Sequence, residues 1–107
     1  MSPEHALRAA EEGDAFARAA LDRFNHYLAR GIAAIAFALA PERVILGTIP
    51  SAAGETLCFE PLRRLVAERV WPDIGAGLQI LPSALGDEQP YRAALCAALE
   101  GLAARAR

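Results

Sequence analysis

The chain has 107 residues, a formal net charge of -2 and a hydrophobic share of 54%, so one domain spanning residues 1–107 is expected, with a modest core and apolar surface to spare. A slightly acidic chain with an aromatic share of 7% has neither the positive field nor the stacking surface that nucleic-acid binding uses. Its longest apolar run, Gly31 to Ala40, is about half of what a membrane span requires, and no leader-like segment opens the sequence, which together point to a cytoplasmic protein with no membrane contact.

Ser2-Pro3-Glu4 reads as a helix start, because proline suits the first turn and a carboxylate favours the positive end of the dipole. This helix is expected to run to about Glu12, where Gly13 interrupts it and Asp14 is placed to cap a second one. From Ala15 to about Leu39, the residues Phe16, Ala20, Leu21, Phe24, Leu28, Ile32, Ile35 and Leu39 recur at three or four positions, predicting one apolar stripe. Past Gly31 the polar face disappears, predicting burial all round. Gly31 itself costs about 1 kcal/mol relative to alanine, and is expected to admit a second backbone. Pro41 ends the helix.

Arg43-Val44-Ile45-Leu46 is apolar without alternation after its arginine, the pattern of a strand covered on both faces. Thr48 to Gly54, small residues around Pro50, predicts a loop. Glu60-Pro61 predicts the cap and first position of a third helix, running to about Val70 with Leu62, Leu65, Val66 and Val70 inward, and Trp71-Pro72 ends it. Ile74 to Gly77 reads as a link, Leu78 to Leu81 as a second strand stopped by Pro82, and Ser83 to Pro90 as a second loop. The last helix opens at Pro90 or Tyr91 with Ala94, Leu95, Ala98, Leu99 and Leu102 as its apolar face; Arg105 and Arg107 suit its end. The fold class is α/β in the order α-α-β-α-β-α, with the two strands made parallel by a right-handed crossover. Two strands leave open edges, so a second copy of the chain or further sequence is expected to complete them.

Ligands of parallel sheets bind beyond the carboxyl ends of the strands, which draws attention to Gly47 to Ser51. Elsewhere the chemistry-bearing residues read as structural. His5 and His26 have no second ligand at metal spacing and suit a surface or interface. Asp87 and Glu88 have the chemistry of a catalytic acid or a magnesium contact, but a cap for the last helix is the plainer reading. Arg63, Arg64 and Arg69, interspersed with Glu60 and Glu68, read as a solvated helix face rather than a phosphate site. Gly54-Glu55-Thr56 suits a capped turn more than a cleft wall. Cys58 and Cys96 lack metal or redox spacing and are expected as small buried hydrophobes. No nucleophile and base form a recognisable catalytic pattern.

Taken in order, several short segments are similar to one family. They are Ala10-Glu11-Glu12-Gly13-Asp14-Ala15-Phe16-Ala17, the apolar helix ending at Ala40-Pro41, Arg43 to Ser51, Ala53-Gly54-Glu55, Glu60-Pro61-Leu62-Arg63, Trp71-Pro72 and Ala84-Leu85-Gly86-Asp87. In this order the chain resembles the C-terminal part of the ROK family of bacterial sugar kinases and sugar-responsive repressors. The resemblance implies a partial actin-like, ribonuclease-H-like lobe. It also implies glucokinase-like phosphorylation of a hexose or N-acetylhexosamine with ATP and magnesium in the complete kinase. The family's phosphate-gripping loop, catalytic Asn-Asp pair and zinc motif would precede Met1, so no catalytic or metal-binding residue is assigned and the isolated chain is expected to be inactive.

The same resemblance places Gly47, Thr48, Ile49 and Ser51 at the nucleotide, with Gly47 matching the first of three family glycines and Thr48 and Ile49 replacing the others. Positive φ strains a β-branched residue such as Ile49, which counts against adenosine binding. Gln89-Pro90 and Arg92-Ala93 stand where the family carries a glycine-containing pair and a further glycine. Two other readings stay open. One is a stand-alone module that buries its apolar helix in a homodimer, and the other is the effector half of a ROK repressor.

Overall fold

Hydrogen bonds from short polar side chains set the first two helices. In the computed structural model, which describes residues 2–106 and all their side chains except that of Asp87, helix α1 spans Pro3–Glu11 and α2 spans Ala15–Leu39. Ser2 Oγ accepts from the His5 amide at 3.3 Å, and Asp14 Oδ1 accepts from the Ala17 amide at 2.8 Å. Each satisfies a donor that the first turn leaves free. Ala40, in the left-handed region at φ 45°, closes α2 one residue before Pro41.

Strand β1 (Arg43–Leu46) pairs in parallel with β2 (Gln79–Pro82), Val44 opposite Ile80 and Leu46 opposite Pro82. The parallel pair agrees with the sequence reading, with β2 one residue later than expected. The expectation of cover on both faces fails, because Ile45 is 56% exposed while Val44 and Leu46 pack against the core. Only one face of this two-stranded sheet is backed by helices.

The stretch expected as a loop is helical. Helix α3 (Thr48–Gly54) starts directly after β1, with Pro50 in the first turn where its missing N–H breaks no bond. Gly54, at φ 80°, then leads into a π-helical turn over Glu55–Phe59 and on into α4 (Glu60–Arg69). Glu60 is therefore not a cap, since Phe59 before it is already helical. In an α-helix the Leu57 carbonyl would accept from residue 61, and Pro61 has no N–H to give. Asn25 of α2, only 2% exposed, supplies the donor from its side chain, Nδ2 to the Leu57 carbonyl at 2.9 Å. The short α5 (Pro72–Gly77) replaces the expected link, and α6 (Gln89–Ala106) follows a 3-10 turn at Gly86–Glu88.

The core lies between α2 and α4, where Ala29, Ile32, Ala33 and Ala36 meet Cys58, Phe59, Leu62 and Val66, with Ile80 beneath them. The buried stripe of α2 is thus carried largely by alanines, with Leu21, Phe24 and Leu28 half-buried at its side. The expected stripe is corrected at four members, since Ala20 is exposed, and Phe16 is 74%, Ile35 46% and Leu39 75% exposed. The segment past Gly31 is not buried all round, and a Cβ on Gly31 would meet nothing, so no backbone approaches it. Small residues let α2 and α4 come close, which leaves the large side chains at the flanks of the contact. Cys96 is likewise exposed rather than buried, and no described residue of α6 is buried.

Arg63 departs from the solvated-face expectation, unlike Arg64 and Arg69, which are exposed. Its guanidinium donates to the Ile80 carbonyl at 2.7 and 2.9 Å and to the Glu55 carboxylate at 2.5 and 3.2 Å, tying α4 to β2 and to the π turn. The arginine hydrogen bond, and then its charge, hold the Glu55 carboxyl below its ordinary value of 4.5.

Candidate functional site

Beyond the carboxyl end of β1, a cavity of about 440 Å³ opens between the start of α1, helix α3 and the turn before α6. Thr48, Ile49, Ser51 and Ala52 form one wall, Pro3, Glu4 and Leu7 the opposite one, and Gly86 and Pro90 a third side. Its position follows from topology, since parallel strands end together and their following loops diverge around a crevice. The α1 side of the wall was not legible in the sequence, which carries no signal that Glu4 and Leu7 fold back beside residue 49.

The four residues singled out by sequence lie together, in different roles. Gly47 is extended, with φ -110° and ψ -168°, a conformation open to any residue. The left-handed turn falls at Thr48, with φ 52°, and Ile49 has no positive φ. The expected strain therefore belongs to Thr48 rather than Ile49, at about 1–2 kcal/mol for a residue with a Cβ. Ser51 turns back, its Oγ donating to the Leu46 carbonyl at 2.8 Å, and the Ser83 amide donates to the same carbonyl at 2.9 Å. These bonds bind the end of β1 to α3 and to the segment after β2.

Gln89, the first residue of α6, was not read as a site residue. Its side-chain amide stands where a Cβ on residue 47 would be, so any larger residue there would have to displace the flexible Gln89 side chain. Gln89 Oε1 is buried without a hydrogen-bond partner, an arrangement that typically costs about 1–3 kcal/mol. The signal that could have found it was the departure at Gln89-Pro90, where a long polar side chain follows a turn that elsewhere uses glycine.

The other candidates lie apart from the cavity. His26 Nδ1 contacts the Asp22 carbonyl at 2.8 Å on the surface of α2, and His5 Nδ1 contacts Ser2 Oγ at 2.9 Å. Glu88 pairs with Arg92 at 2.9 Å, both exposed. The side chain of Asp87, read as a cap or acid, lies outside the described residues. Gly54 and Glu55 belong to the junction held by Arg63. Among the described residues, no three His, Cys, Asp or Glu side chains are grouped as metal ligands would be, and no helix is long and apolar enough to cross a membrane.

Residues 1–100 match the sequence profile of the ROK family. A glucokinase from Halalkalibacterium halodurans is 31% identical over 88 residues, covering 82% of this chain and 26% of that enzyme. A glucokinase from Thermotoga maritima is 36% identical over 85 residues, covering 79% and 26%. The chain thus spans about a quarter of the length of these relatives. Among solved structures, a ROK-family transcriptional regulator, homologue of the E. coli MLC protein, superposes with a TM-score of 0.69 at 21% identity, over 77% of this chain and 20% of that one. A candidate sugar kinase from Cytophaga hutchinsonii superposes with a TM-score of 0.72 at 19% identity, over 82% and 29%. The mixed α/β arrangement, mostly helical around two parallel strands, is one these proteins share.

Proposed function

The chain belongs to the ROK family, and from that premise we propose that it is the C-terminal portion of an actin-like lobe in a glucokinase-like sugar kinase, contributing one wall of the adenine-nucleotide site. The observation that carries this reading is the cavity at the strand ends, walled by Thr48, Ile49 and Ser51 beside Gly47. These are the positions that the family resemblance sets at the nucleotide. The cavity's size falls within the usual ligand-site range of about 300–1,000 Å³.

The residues present fit ATP poorly. The Gln89 carboxamide fills the side of Gly47 on which a Cβ would stand, and a ligand approaching from that side has to displace it. Phosphoryl transfer depends on positioning and on charge stabilisation at the transferred group. The aspartate base and phosphate-gripping loop that the resemblance implies have no counterpart in these 107 residues. A coupled assay with glucose, magnesium and ATP is therefore expected to show no turnover by this chain alone, and turnover would refute the lobe reading. Calorimetry with magnesium ATP tests the wall itself, and no heat at millimolar nucleotide would remove it.

What the chain needs beyond itself supports the same reading. Its radius of gyration is 16.4 Å, against about 13 Å for a compact domain of ~100 residues. Helix α6 projects with Leu95, Leu99 and Leu102 more than half exposed, which suits cover by the remainder of a two-lobed protein.

A second reading is favoured by the exposed aromatic pair Phe37 and Trp71, edge to face at 5.4 Å between ring centroids with Leu39 also exposed. There a second copy of the chain covers the apolar surface. Light scattering that finds a folded monomer at micromolar concentration would end it. The effector half of a repressor would use the same lobe, and DNA upstream encoding a helix-turn-helix in frame would favour it over the kinase.

A further inference from the structure

We propose that Gln89 is a stopper for the nucleotide-facing loop, so that an adenine nucleotide reaches the Gly47 backbone only when the Gln89 side chain has swung away. This rests on the reading of that loop as a nucleotide wall, and adds to it a regulation of access. Three observations carry it. The Oε1, Cδ and Nε2 atoms of Gln89 all stand in the space a Cβ on residue 47 would take. Gly47 has an extended backbone, so the turn does not require glycine, and the group that meets the Cβ side of residue 47 is the movable carboxamide of Gln89. Gln89 Oε1 is buried with no hydrogen-bond partner, so that oxygen is held by packing and gains a bond to water on leaving.

Gly86 and Pro90, which flank Gln89 in sequence, border the cavity, so the group blocking Gly47 belongs to the segment that forms the cavity's third side. The closed arrangement is also self-consistent, since a side chain at residue 47 and the carboxamide of Gln89 cannot occupy one space. This coupling gives a test independent of ligand.

The experiment uses the whole chain as wild type, Q89A, G47A and the G47A/Q89A double variant, with magnesium ATP as the calorimetric probe and thermal melting as the second readout. Q89A is expected to bind at least tenfold more tightly than wild type while melting no lower. G47A is expected to push the same flexible carboxamide aside and to melt as Q89A does, with the double variant no lower than either. Equal binding by wild type and Q89A would overturn the stopper and leave the nucleotide wall standing. No binding by either would overturn both. A clear melting loss in G47A that persists at full size without Gln89 would overturn the stopper whatever the calorimetry gives.

Discussion

Thr48→Gly is expected to stabilise the fold, although glycine is ordinarily costly at the start of a helix. Thr48 holds φ at 52°, where its Cβ and the following carbonyl crowd each other for about 1–2 kcal/mol. The substitution releases that strain and gives back about 0.4–1 kcal/mol through the greater freedom of the unfolded chain. Thr48 is exposed and contributes little packing, so the net gain is about 0.5–1 kcal/mol. For a domain of this size the melting temperature should rise by about 2–6 °C. Ile49→Gly is the control, since Ile49 is not left-handed and packs against the core. It should lose about 2 kcal/mol or more through truncation and chain freedom. Urea titration followed by circular dichroism measures both variants. A loss of more than about 0.5 kcal/mol in Thr48→Gly, or equal behaviour of the two variants, would refute the assignment of the left-handed turn to residue 48.

Asn25→Ala should cost about 1–3 kcal/mol by leaving the Leu57 carbonyl without its donor, and a chemical melt within 0.5 kcal/mol of wild type would show that the Pro61 junction does not need it. The Glu55 carboxyl is lowered in the folded chain by Arg63, so the stability it contributes is present above its unfolded value and lost as pH falls through the folded one. The difference between wild type and Glu55→Gln at pH 7 should therefore begin to shrink as pH falls below about 4.5 and be lost through the lower folded value, and a difference that shows no decline on acidification below 4.5 would contradict the ion pair. Burial, and then the Glu55 charge, push the Cys58 thiol up to about 11, whereas Cys96 is exposed. At pH 8 a thiol reagent should label one cysteine in the native chain and two in urea, and rapid native labelling of Cys58 would contradict its placement in the core.

The parts of the fold legible in the sequence are those governed by contacts within three or four residues. Ser2 and Asp14 cap because their oxygens reach the amides of His5 and Ala17, and Pro41 and Pro82 mark an end wherever the chain goes next. The parallel pairing followed from connection length and handedness alone. Thr48 to Gly54 reads as a loop because Gly47, Pro50 and Gly54 are turn residues by local preference. Residues 48–54 are helical instead, and run into a π turn held from outside by Asn25 from α2 and Arg63 from α4. The cavity was half legible for the same reason. Thr48, Ile49 and Ser51 are near one another in sequence and were found, whereas Glu4 and Pro90 enter through packing of remote elements.

Arg63 apart, the residues placed on the wrong side of the surface err in one direction. Phe16, Ile35, Leu39, Ile45, Leu95, Leu99, Leu102 and Cys96 were all expected inside, and all are exposed. A misread helical phase would instead scatter, burying some residues expected outside. A one-sided error means that the apolar pattern describes a larger covered surface than these 107 residues can bury. Covering the three α6 leucines alone would contribute on the order of 5 kcal/mol, comparable with the whole stability of a small domain. An isolated helix of this length is only marginal in water, so α6 depends for its persistence on what covers it. That dependence reaches the edge of the cavity, because α6 begins at Gln89, whose side chain stands over Gly47.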